Sequence, residues 1–455
     1  MGFVLTLLYL VTAYLGPVTV FGPLAAAHIG LILAALVFLV SLPTLSESLI
    51  WKTPQSLALI GLAFATFLSL LITGWTGGAV QVLLDFIPNA FAYFLVCLHC
   101  NSKKKLQVLV LMMLFVCLFV IAHGYADLRQ QAAAPPGTAD TPDLEGSYLL
   151  AQKSDAGEWF YRIRGQDFIN DPNDFAQLIV CVIPLMFIFW RPKKMFKNTA
   201  FVLLPVCALL FGAFLTHSRG SILAISAMTL VAARRRIGTV PSVLLAMGLF
   251  AAASTLNYSG GRGISATSGS GRMDLWSAGL QLLISHPLFG VGFNRMPDFA
   301  GQTAHNTVVV CAAELGLVGL YFWSLFLFPT VRDALAVASP MMVSEGMPIV
   351  PEKELFPQAI RNIESVDKAE VNRLGRLVVL SLTGFLVAAW FLSRAYTMTL
   401  FLLGGIAEVV FEMALQRGMI SPRLPPTRML RYAVGMTLSL PVLVYVVLRF
   451  GNLSR

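Results

Sequence analysis

Charged residues are scarce in this chain. Of its 455 residues only 12% are Asp, Glu, Lys or Arg, while 57% are hydrophobic and the mean hydropathy is +0.76. A water-soluble protein of this length carries roughly 25% charged residues. The chain would expose far too much apolar surface in water, so its composition excludes a soluble globular protein. We predict an all-α, polytopic membrane protein.

Several catalytic motifs are also missing. The sequence contains no Ser/His/Asp nucleophile set, no phosphate-cradling Gly loop and no HExxH zinc motif. Its six cysteines lie in or beside apolar stretches, where packed thiols are the simplest interpretation. Cys97-Leu98-His99-Cys100 resembles half of a metal site, but no second Cys/His pair follows at a suitable spacing. We therefore expect neither a metal nor another cofactor.

Long apolar runs are abundant. A transmembrane helix needs roughly 20 mostly apolar residues, and about 12–13 stretches approach or reach that length. They lie near residues 3–20, 24–42, 57–73, 79–98, 106–123, 173–190, 199–216, 220–233, 239–256, 304–328, 375–393, 397–415 and 432–448. The first stretch lacks a basic n-region and a clear cleavage site, so we expect a retained helix and not a removed signal peptide.

The basic residues, which give a net charge of +9, form a topology signal. They cluster between predicted helices, at Lys103-Lys104-Lys105, in Arg191–Lys197, at Arg234-Arg235-Arg236 and in Arg417–Arg431. The helix count between the clusters allows all four to face the cytoplasm, as the positive-inside rule requires. Because they form no basic face, nucleic acid is not an expected partner, whereas membrane lipids are.

This topology divides the chain into membrane and loop segments. They are N-terminal transmembrane helices (1–123), an outer loop (124–171), transmembrane helices (172–256), a second outer loop (257–303), a helix starting at His305 (304–328), a cytoplasmic loop (329–374) and C-terminal transmembrane helices (375–455). Thirteen helices would place the C-terminus outside, which makes the last span or the first pair a candidate for misassignment.

The two outer loops differ in character. The Ala/Pro/Gly/Asp-rich half of the first loop is predicted to be irregular. In the second loop, apolar residues recur at helical spacing, namely Leu275, Trp276, Leu280, Leu283 and Ile284. This pattern indicates a short amphipathic helix, which either lies at the membrane surface or caps the helix bundle.

Three ionisable residues are expected to converge on the outer face. Arg219 lies at the outer junction of two apolar stretches, Arg272 in the second outer loop and His305 at the start of the next helix. Ionisable side chains at a membrane boundary are costly and are functional candidates by default. The alternatives are that Arg219 snorkels to the lipid headgroups and that His305 is a satisfied interfacial histidine.

These residue types suit a substrate with a diphosphate head and a lipid tail. The planar guanidinium donates paired hydrogen bonds to two phosphate oxygens and neutralises charge that develops on a leaving group. An imidazole has an unperturbed pKa of about 6.5, so it can accept a proton from an attacking hydroxyl near neutral pH.

Four further residues are candidates for substrate binding. Arg164 and Asn173 belong to the polar segment RIRGQDFINDPNDFAQ, in which Asp171 and Pro172 also form a good helix start. Ser218 directly precedes Arg219 and is a candidate to support it beside the substrate. Asn306 either holds His305 in one tautomer or satisfies the end of the helix.

Four motifs together resemble a known family. They are DPNDFAQ at 171–177, HSRGS at 217–221, GRMDLWSAGLQLLISHPLFGVGFNRM at 271–296 and HNTVVVCAAELGLVGL at 305–320. Over roughly residues 165–400 the chain is similar to the O-antigen ligase and O-antigen polymerase superfamily of bacterial inner-membrane proteins.

The resemblance implies a glycosyltransferase C-type fold and a metal-independent, polyprenyl-diphosphate-dependent glycan ligase or polymerase. The donor would be an undecaprenyl-diphosphate-linked glycan on the periplasmic face of the inner membrane. The acceptor would be lipid A–core or another glycan or lipid. Carried over onto this chain, His305 corresponds to the base that activates the acceptor hydroxyl, and Arg219 and Arg272 to the arginines that hold the diphosphate. Transfer would invert the anomeric centre.

The lead hypothesis is glycan ligation, with lipopolysaccharide biosynthesis as its setting. Polymerisation of O-antigen or exopolysaccharide repeat units is the alternative within the same chemistry. A transporter or flippase for lipid-linked glycans and a non-catalytic scaffold are alternatives of other classes. A transporter would place charges near the bilayer midplane, where the sequence offers Glu314, Glu408 and Glu412.

Overall fold

The structure is a computed structural model. It describes residues 1–22, 29–48, 50–133, 146–154, 157–255, 258, 266–339, 360, 363–420 and 423–453. Parts of the predicted segments 24–42, 124–171, 257–303 and 329–374 lie outside the described residues, as does Arg455 at the C-terminus.

Helices make up most of the described chain. They are α1 (Gly2–Leu15), α2 (Pro17–Phe21), α3 (Ile29–Glu47), α4 (Pro54–Ile72), α5 (Thr76–His99), α6 (Lys103–Ala133), α7 (Pro172–Leu185), α8 (Met195–Asn198), α9 (Leu204–Leu215), α10 (Arg219–Ile237), α11 (Thr239–Thr255), α12 (Ala266–Ser285), α13 (Met296–Ala300), α14 (Thr307–Ala338), α15 (Lys368–Ala389), α16 (Met398–Gln416) and α17 (Pro426–Leu453). Two short strands, β1 (Leu149–Lys153) and β2 (Trp159–Ile163), form an antiparallel hairpin.

Ten of the described helical segments are long and apolar enough to cross a membrane. The predicted all-α, polytopic membrane fold is confirmed. The other three predicted spans, 3–20, 220–233 and 239–256, coincide with α1, α10 and α11. Of these, α1 and α11 are shorter than the required length. The third helix, α10, is long enough, but it carries Arg219 at its start and Arg234, Arg235 and Arg236 in its last turn. These are too many charged residues to count it as a membrane span by composition.

The contacts divide the chain into two units. Unit 1 comprises Met1–Val40, Lys104–Ile264 and Leu380–Ala388, and unit 2 comprises Ser41–Lys103, Ser265–Val379 and Ala389–Arg455. In unit 1, small residues allow close helix packing. A methyl group on Gly212 of α9 would lie 2.3 Å from Ile121 Cδ1 of α6, and one on Gly384 of α15 would lie 2.6 Å from Val180 Cγ1 of α7.

The described part of the first predicted outer loop contains regular structure, whereas most of its Ala/Pro/Gly/Asp-rich half, residues 134–145, lies outside the described residues. The preceding helix continues to Ala133 and does not end near residue 123, and the described part of the loop contains the β1–β2 hairpin. Asp127, on this helical extension, accepts hydrogen bonds from Ser147 Oγ at 2.9 Å and from the Tyr148 N–H at 2.8 Å. These bonds attach the hairpin to α6, which sequence periodicity did not reveal because they join distant segments.

In unit 2, α14 packs against α4, α16 and α17, and α5 packs against α4 and α16. Aromatic rings fill the interior: Phe326 lies edge-on to Phe401 and Tyr93, at 5.3 and 5.8 Å between ring centroids. Gly404 of α16 allows this packing, because a methyl group there would lie 2.5 Å from Phe326 Cζ.

The α14 helix is interrupted at Gly316, which has φ 64° and ψ −161°. The N–H groups of Leu317 and Val318 donate to the carbonyls of Pro287 and Leu288, at 2.8 and 3.1 Å. In return, the carbonyls of Ala313 and Glu314 accept from the N–H groups of Val291 and Gly292, at 3.0 Å each. The segment 287–292 therefore replaces the hydrogen bonds that the helix loses.

A buried charge cluster lies near the other end of α14. Asp333 accepts from Arg332 at 2.8 Å and pairs with Arg423 at 3.5 Å, and Arg423 also binds Glu408 and Glu412 of α16.

The predicted inner loop is shorter than expected, because α14 continues to Ala338 and does not end at residue 328. Its last described residues are anchored, since Arg417 Nε donates to the Val366 carbonyl at 2.7 Å.

We expect Gly316→Ala to destabilise the protein. An alanine would adopt the left-handed region, and its methyl group would lie 2.4 Å from the Leu288 carbonyl group. Backbone strain alone costs about 1–3 kcal/mol. Thermal unfolding of the purified protein in detergent measures the effect. The control is Gly435→Ala in α17, where a methyl group meets no atom within 4 Å. Equal unfolding temperatures for the two variants would contradict the role of the interruption.

Candidate active site

His305 belongs to unit 2 and directly precedes the capped end of α14. Its backbone lies in the left-handed region with φ 48°, which is uncommon for a residue other than glycine. Its N–H donates to Ser393 Oγ at 2.9 Å, and the residue is half-buried. The predicted helix start at His305 is therefore wrong by two residues: the helix begins at Thr307, because Asn306 caps it. Strained backbone of this kind is concentrated at functional sites.

Asn306 is fully buried and completes the helix end. Its Oδ1 accepts from the N–H groups of Val308 and Val309 at 3.0 and 3.1 Å, and its Nδ2 donates to the Trp390 carbonyl at 3.0 Å. Of the two interpretations of Asn306, satisfaction of the helix end is observed. Substrate contact by this side chain stays a prediction.

The connection between α15 and α16 holds the residues around His305. We call residues 390–394 the connecting segment. Thr307 Oγ1 donates to the Leu392 carbonyl at 2.8 Å, and the Arg394 N–H donates back to Thr307 Oγ1 at 3.1 Å. Ser393 Oγ donates to Thr303 Oγ1 at 2.8 Å as well as accepting from His305. The backbone before and after His305 is thus fixed by one short segment.

The α12 helix packs on the other side of this segment. Trp276 Nε1 donates to the carbonyl of Ala304 at 2.9 Å, and the Trp276 and Trp390 rings meet edge-to-face at 6.0 Å. Arg272 is exposed and lies four residues before Trp276, hence one turn away on the same face of α12. The structure therefore brings the helix that carries Arg272 against the residue that precedes His305.

The predicted apolar face of α12 is only partly buried. Trp276 and Leu283 are buried, whereas Ile284 is 78% exposed. The placement of this helix at the membrane surface stays a prediction.

Arg219 belongs to unit 1, where it is the first residue of α10. Ser218 is its N-cap residue and is 2% exposed. His217, with φ 50°, donates from Nδ1 to the Tyr258 carbonyl at 2.9 Å, since a carbonyl can only accept. The Tyr258 hydroxyl is hydrogen-bonded to Ser221 Oγ at 2.8 Å, and burial raises the pKa of Tyr258 to about 12, so the phenol stays protonated. The convergence of Arg219 with Arg272 and His305 stays a prediction.

A buried arginine, Arg162, holds the chain just before Arg219 in place. Arg162 of β2 is 3% exposed and donates to the Thr216 carbonyl at 2.8 Å, to Gln152 Oε1 at 3.2 Å and to Asn173 Oδ1 at 2.9 Å. It joins the hairpin, the start of α7 and the junction between α9 and α10. The Asn173 oxygen, predicted to contact substrate, is thus used by Arg162.

Neighbouring polar residues have different roles. Asp171 caps α7, accepting from the Asn173 N–H at 2.7 Å with Pro172 in the first helical turn, which confirms the capping interpretation. The half-buried Arg164 makes no guanidinium hydrogen bond or ion pair with any residue that the structure describes. Its substrate contact stays a prediction.

Sequence reasoning missed two elements of the site. Arg162 stood among the polar residues near α7, but nothing distinguished it from Arg164 without the register of the hairpin. Ser393 and Arg394 were overlooked, although the predicted topology put Ser393 at the outer end of the span 375–393 and Arg394 in the short outer connection that follows it. A Ser-Arg pair in such a connection was the available signal.

We expect Arg162→Lys to lower the free energy of unfolding by about 2–4 kcal/mol, because lysine cannot reach the three acceptors and leaves buried oxygens unpaired. Thermal unfolding in detergent measures the loss. Arg164→Lys is the matched control two residues away and should change stability by less than about 0.5 kcal/mol. A loss of the same size in both variants would show that Arg162 has no special structural role.

Comparison with known proteins identifies one segment of the chain. No curated protein matches the chain. Residues 204–324 match the family profile described as O-antigen ligase. The matched segment contains Arg219, Arg272 and His305, together with the interruption of α14. The match at residues 204–324 supports the resemblance of this chain to the O-antigen ligase superfamily.

Proposed function

We propose that the protein is a glycosyltransferase of the bacterial inner membrane. It transfers a glycan from undecaprenyl diphosphate to an acceptor hydroxyl on the periplasmic face, on lipid A–core or another surface acceptor. The observation that carries the proposal is the fixed backbone of His305 beside the Arg272 helix, within the segment that matches the O-antigen ligase family.

In the proposed reaction, the His305 imidazole accepts the proton of the acceptor hydroxyl. The hydroxyl oxygen forms a bond to the anomeric carbon while the bond from that carbon to the diphosphate oxygen breaks. The electron pair leaves with the diphosphate, and attack from the opposite face inverts the anomeric centre. His305 then carries the proton, which it releases to solvent before the next turnover.

The two arginines supply positive charge for the diphosphate. Arg272 is exposed on α12, where a ligand can reach it. Arg219 is half-buried at the N-terminus of α10, where the helix dipole adds to the attraction for an anion. Guanidinium groups are suited to this role because they donate paired hydrogen bonds to phosphate oxygens.

Repeat-unit polymerisation uses the same donor and the same chemistry, and is the second candidate. The family match supports ligase and polymerase chemistry together. The two activities differ in the acceptor, which is either a surface lipid or a second lipid-linked repeat.

The buried carboxylates support a transferase more than a transporter. Glu314 is buried beside the backbone of Asn294 and Met296. Glu408 and Glu412 are paired with Arg423. Glu408 and Glu412 are thus occupied by an arginine of the chain itself, which is a structural role.

We predict that His305→Ala lowers the rate of glycan transfer by at least about 10²-fold, the usual contribution of a general base. Membrane insertion and binding of the diphosphate lipid should survive, because His305 is required only for proton transfer. Transfer is measured with purified protein and a lipid-linked donor. His286→Ala, an exposed histidine of the same unit, is the matched control and should retain full activity.

The same variants, expressed in a strain that lacks the protein, separate the two candidates. A ligase defect leaves long lipid-linked glycan without attachment, whereas a polymerase defect leaves single repeats. Full transfer by His305→Ala would remove the general base from the proposal and return transport to consideration.

We expect Arg219→Ala and Arg272→Ala each to weaken binding of a polyprenyl diphosphate by about tenfold or more, through loss of charge-assisted hydrogen bonds. Binding is measured by retention of radiolabelled lipid on detergent-solubilised protein. Arg129→Ala is a control, since this arginine stacks on Tyr125 at 5.1 Å in the outer extension of α6. Undiminished binding by both variants would contradict the proposal that Arg219 and Arg272 hold the diphosphate.

A further inference from the structure

Two exposed aromatic rings flank a single arginine at one end of unit 2. The guanidinium carbon of Arg295 lies 5.9 Å from the centre of the Trp75 ring and 5.7 Å from that of Phe299. Trp75 and Phe299 are 54% and 53% exposed. Arg295 Nε also donates to Asp298 Oδ2 at 3.1 Å. We call these four residues the aromatic platform.

The platform lies at the same end of the unit as His305. The α4 helix begins at Pro54, and its Gln55 donates to Asp333 near the end of α14. Trp75 follows the other end of α4, and is therefore at the end of the unit where α14 begins. Phe299 precedes His305 by six positions, so their backbones are at most about 20 Å apart, a distance that a few linked sugars span.

The platform has a rigid base. Phe293 packs against the buried cluster of Leu70, Ala79 and Val82, and its N–H donates to Ser69 Oγ at 3.1 Å. The Arg295 N–H donates to the Gly292 carbonyl at 3.2 Å, which joins the platform to the segment inserted at Gly316. The rings and the guanidinium are consequently presented without the large entropic loss that a mobile loop would bring to binding.

The side chains of the platform have the chemistry that a pyranose requires. The C–H face of a sugar ring packs on the electron-rich face of an indole or phenyl ring. The guanidinium donates hydrogen bonds to hydroxyl oxygens, and the Asp298 carboxylate, 58% exposed, accepts from hydroxyl groups. Adjacent hydroxyls on one sugar ring thus find a donor and an acceptor side by side.

Charge favours a sugar over the membrane surface as the occupant. A tryptophan at the end of a span is expected in the headgroup region whatever its function. Arg295 and Asp298, however, form an ion pair without net charge, which gives little attraction to anionic headgroups. Phe299, moreover, belongs to α13, outside the spans.

We propose that Trp75, Arg295, Asp298 and Phe299 bind a sugar of the acceptor glycan, an inference that rests on the transferase function proposed above. Three of the four platform residues, Arg295, Asp298 and Phe299, are on the chain segment that leads directly into His305. A sugar held there positions the acceptor relative to the imidazole that takes its proton.

The test uses soluble core oligosaccharide, released by mild acid from the lipopolysaccharide of the source cells, and the purified full-length protein. We expect Trp75→Ala and Arg295→Ala each to weaken its binding by about tenfold, as loss of one stacking or charge-assisted contact implies. In transfer assays the KM for the acceptor should rise while kcat changes little. Trp75→Phe, which keeps an aromatic face, should recover part of the affinity.

Trp159→Ala is the matched control, because Trp159 is another exposed tryptophan with a stacked cation, Lys153 at 4.9 Å. It should leave oligosaccharide binding unchanged. Unchanged affinity and KM in Trp75→Ala and Arg295→Ala would overturn the proposal. A second result would also overturn it. If brominated phospholipids in nanodiscs quench the fluorescence of Trp75, and added oligosaccharide does not relieve the quenching, then Trp75 is a membrane anchor.

The experiments test the platform and the proposed function independently of each other. His305→Ala should bind the oligosaccharide as tightly as the unmodified protein. If this variant also transfers glycan normally, the general base is wrong, yet Trp75-dependent binding would still establish the platform. If transfer requires His305 but the platform variants bind and turn over normally, only the platform is wrong.

Discussion

The exchange of backbone hydrogen bonds at Gly316 determines the architecture of the end of unit 2 where His305 lies. A helix within a membrane cannot leave its N–H and carbonyl groups unpaired, because no water is present to satisfy them. Here two N–H groups and two carbonyls released by the interruption of α14 are all taken by the segment 287–292. The short helix from Thr307 to Leu315, the α13 helix and the aromatic platform all depend on this insertion.

Buried polar side chains then set the positions of the candidate catalytic residues. Asn306 caps α14 and binds the connecting segment, so the backbone of His305 is fixed on both sides. In unit 1, Arg162 plays the corresponding part for the junction that carries Arg219. A buried polar group without a partner is costly, so each of these contacts is hard to replace. Polar residues next to the proposed chemistry are therefore largely structural, and the reacting groups are few.

This separation of roles bears on function. A transferase acting on a lipid-linked glycan must hold a charged diphosphate and an uncharged sugar at once, near one proton acceptor. Unit 2 offers an exposed arginine on α12, an imidazole just before α14 and the aromatic platform, which joins Trp75 to the segment between those two helices. Two of the acids that would have favoured transport, Glu408 and Glu412, pair with Arg423 instead.

The sequence by itself determined the membrane class and most of the helices, because apolar run length and basic clusters are local properties. Residue chemistry, which is local too, made His305, Arg272 and Arg219 the candidates for the site. It also predicted the cap at Asp171, which depends on neighbouring residues alone. Only the tertiary structure decided that α14 breaks at Gly316, that a hairpin occupies the first outer loop and that Arg162 is the buried arginine. Each of these depends on hydrogen bonds between segments far apart in the chain. Such bonds leave no periodic trace in the sequence, since a carbonyl is the same acceptor whichever residue carries it.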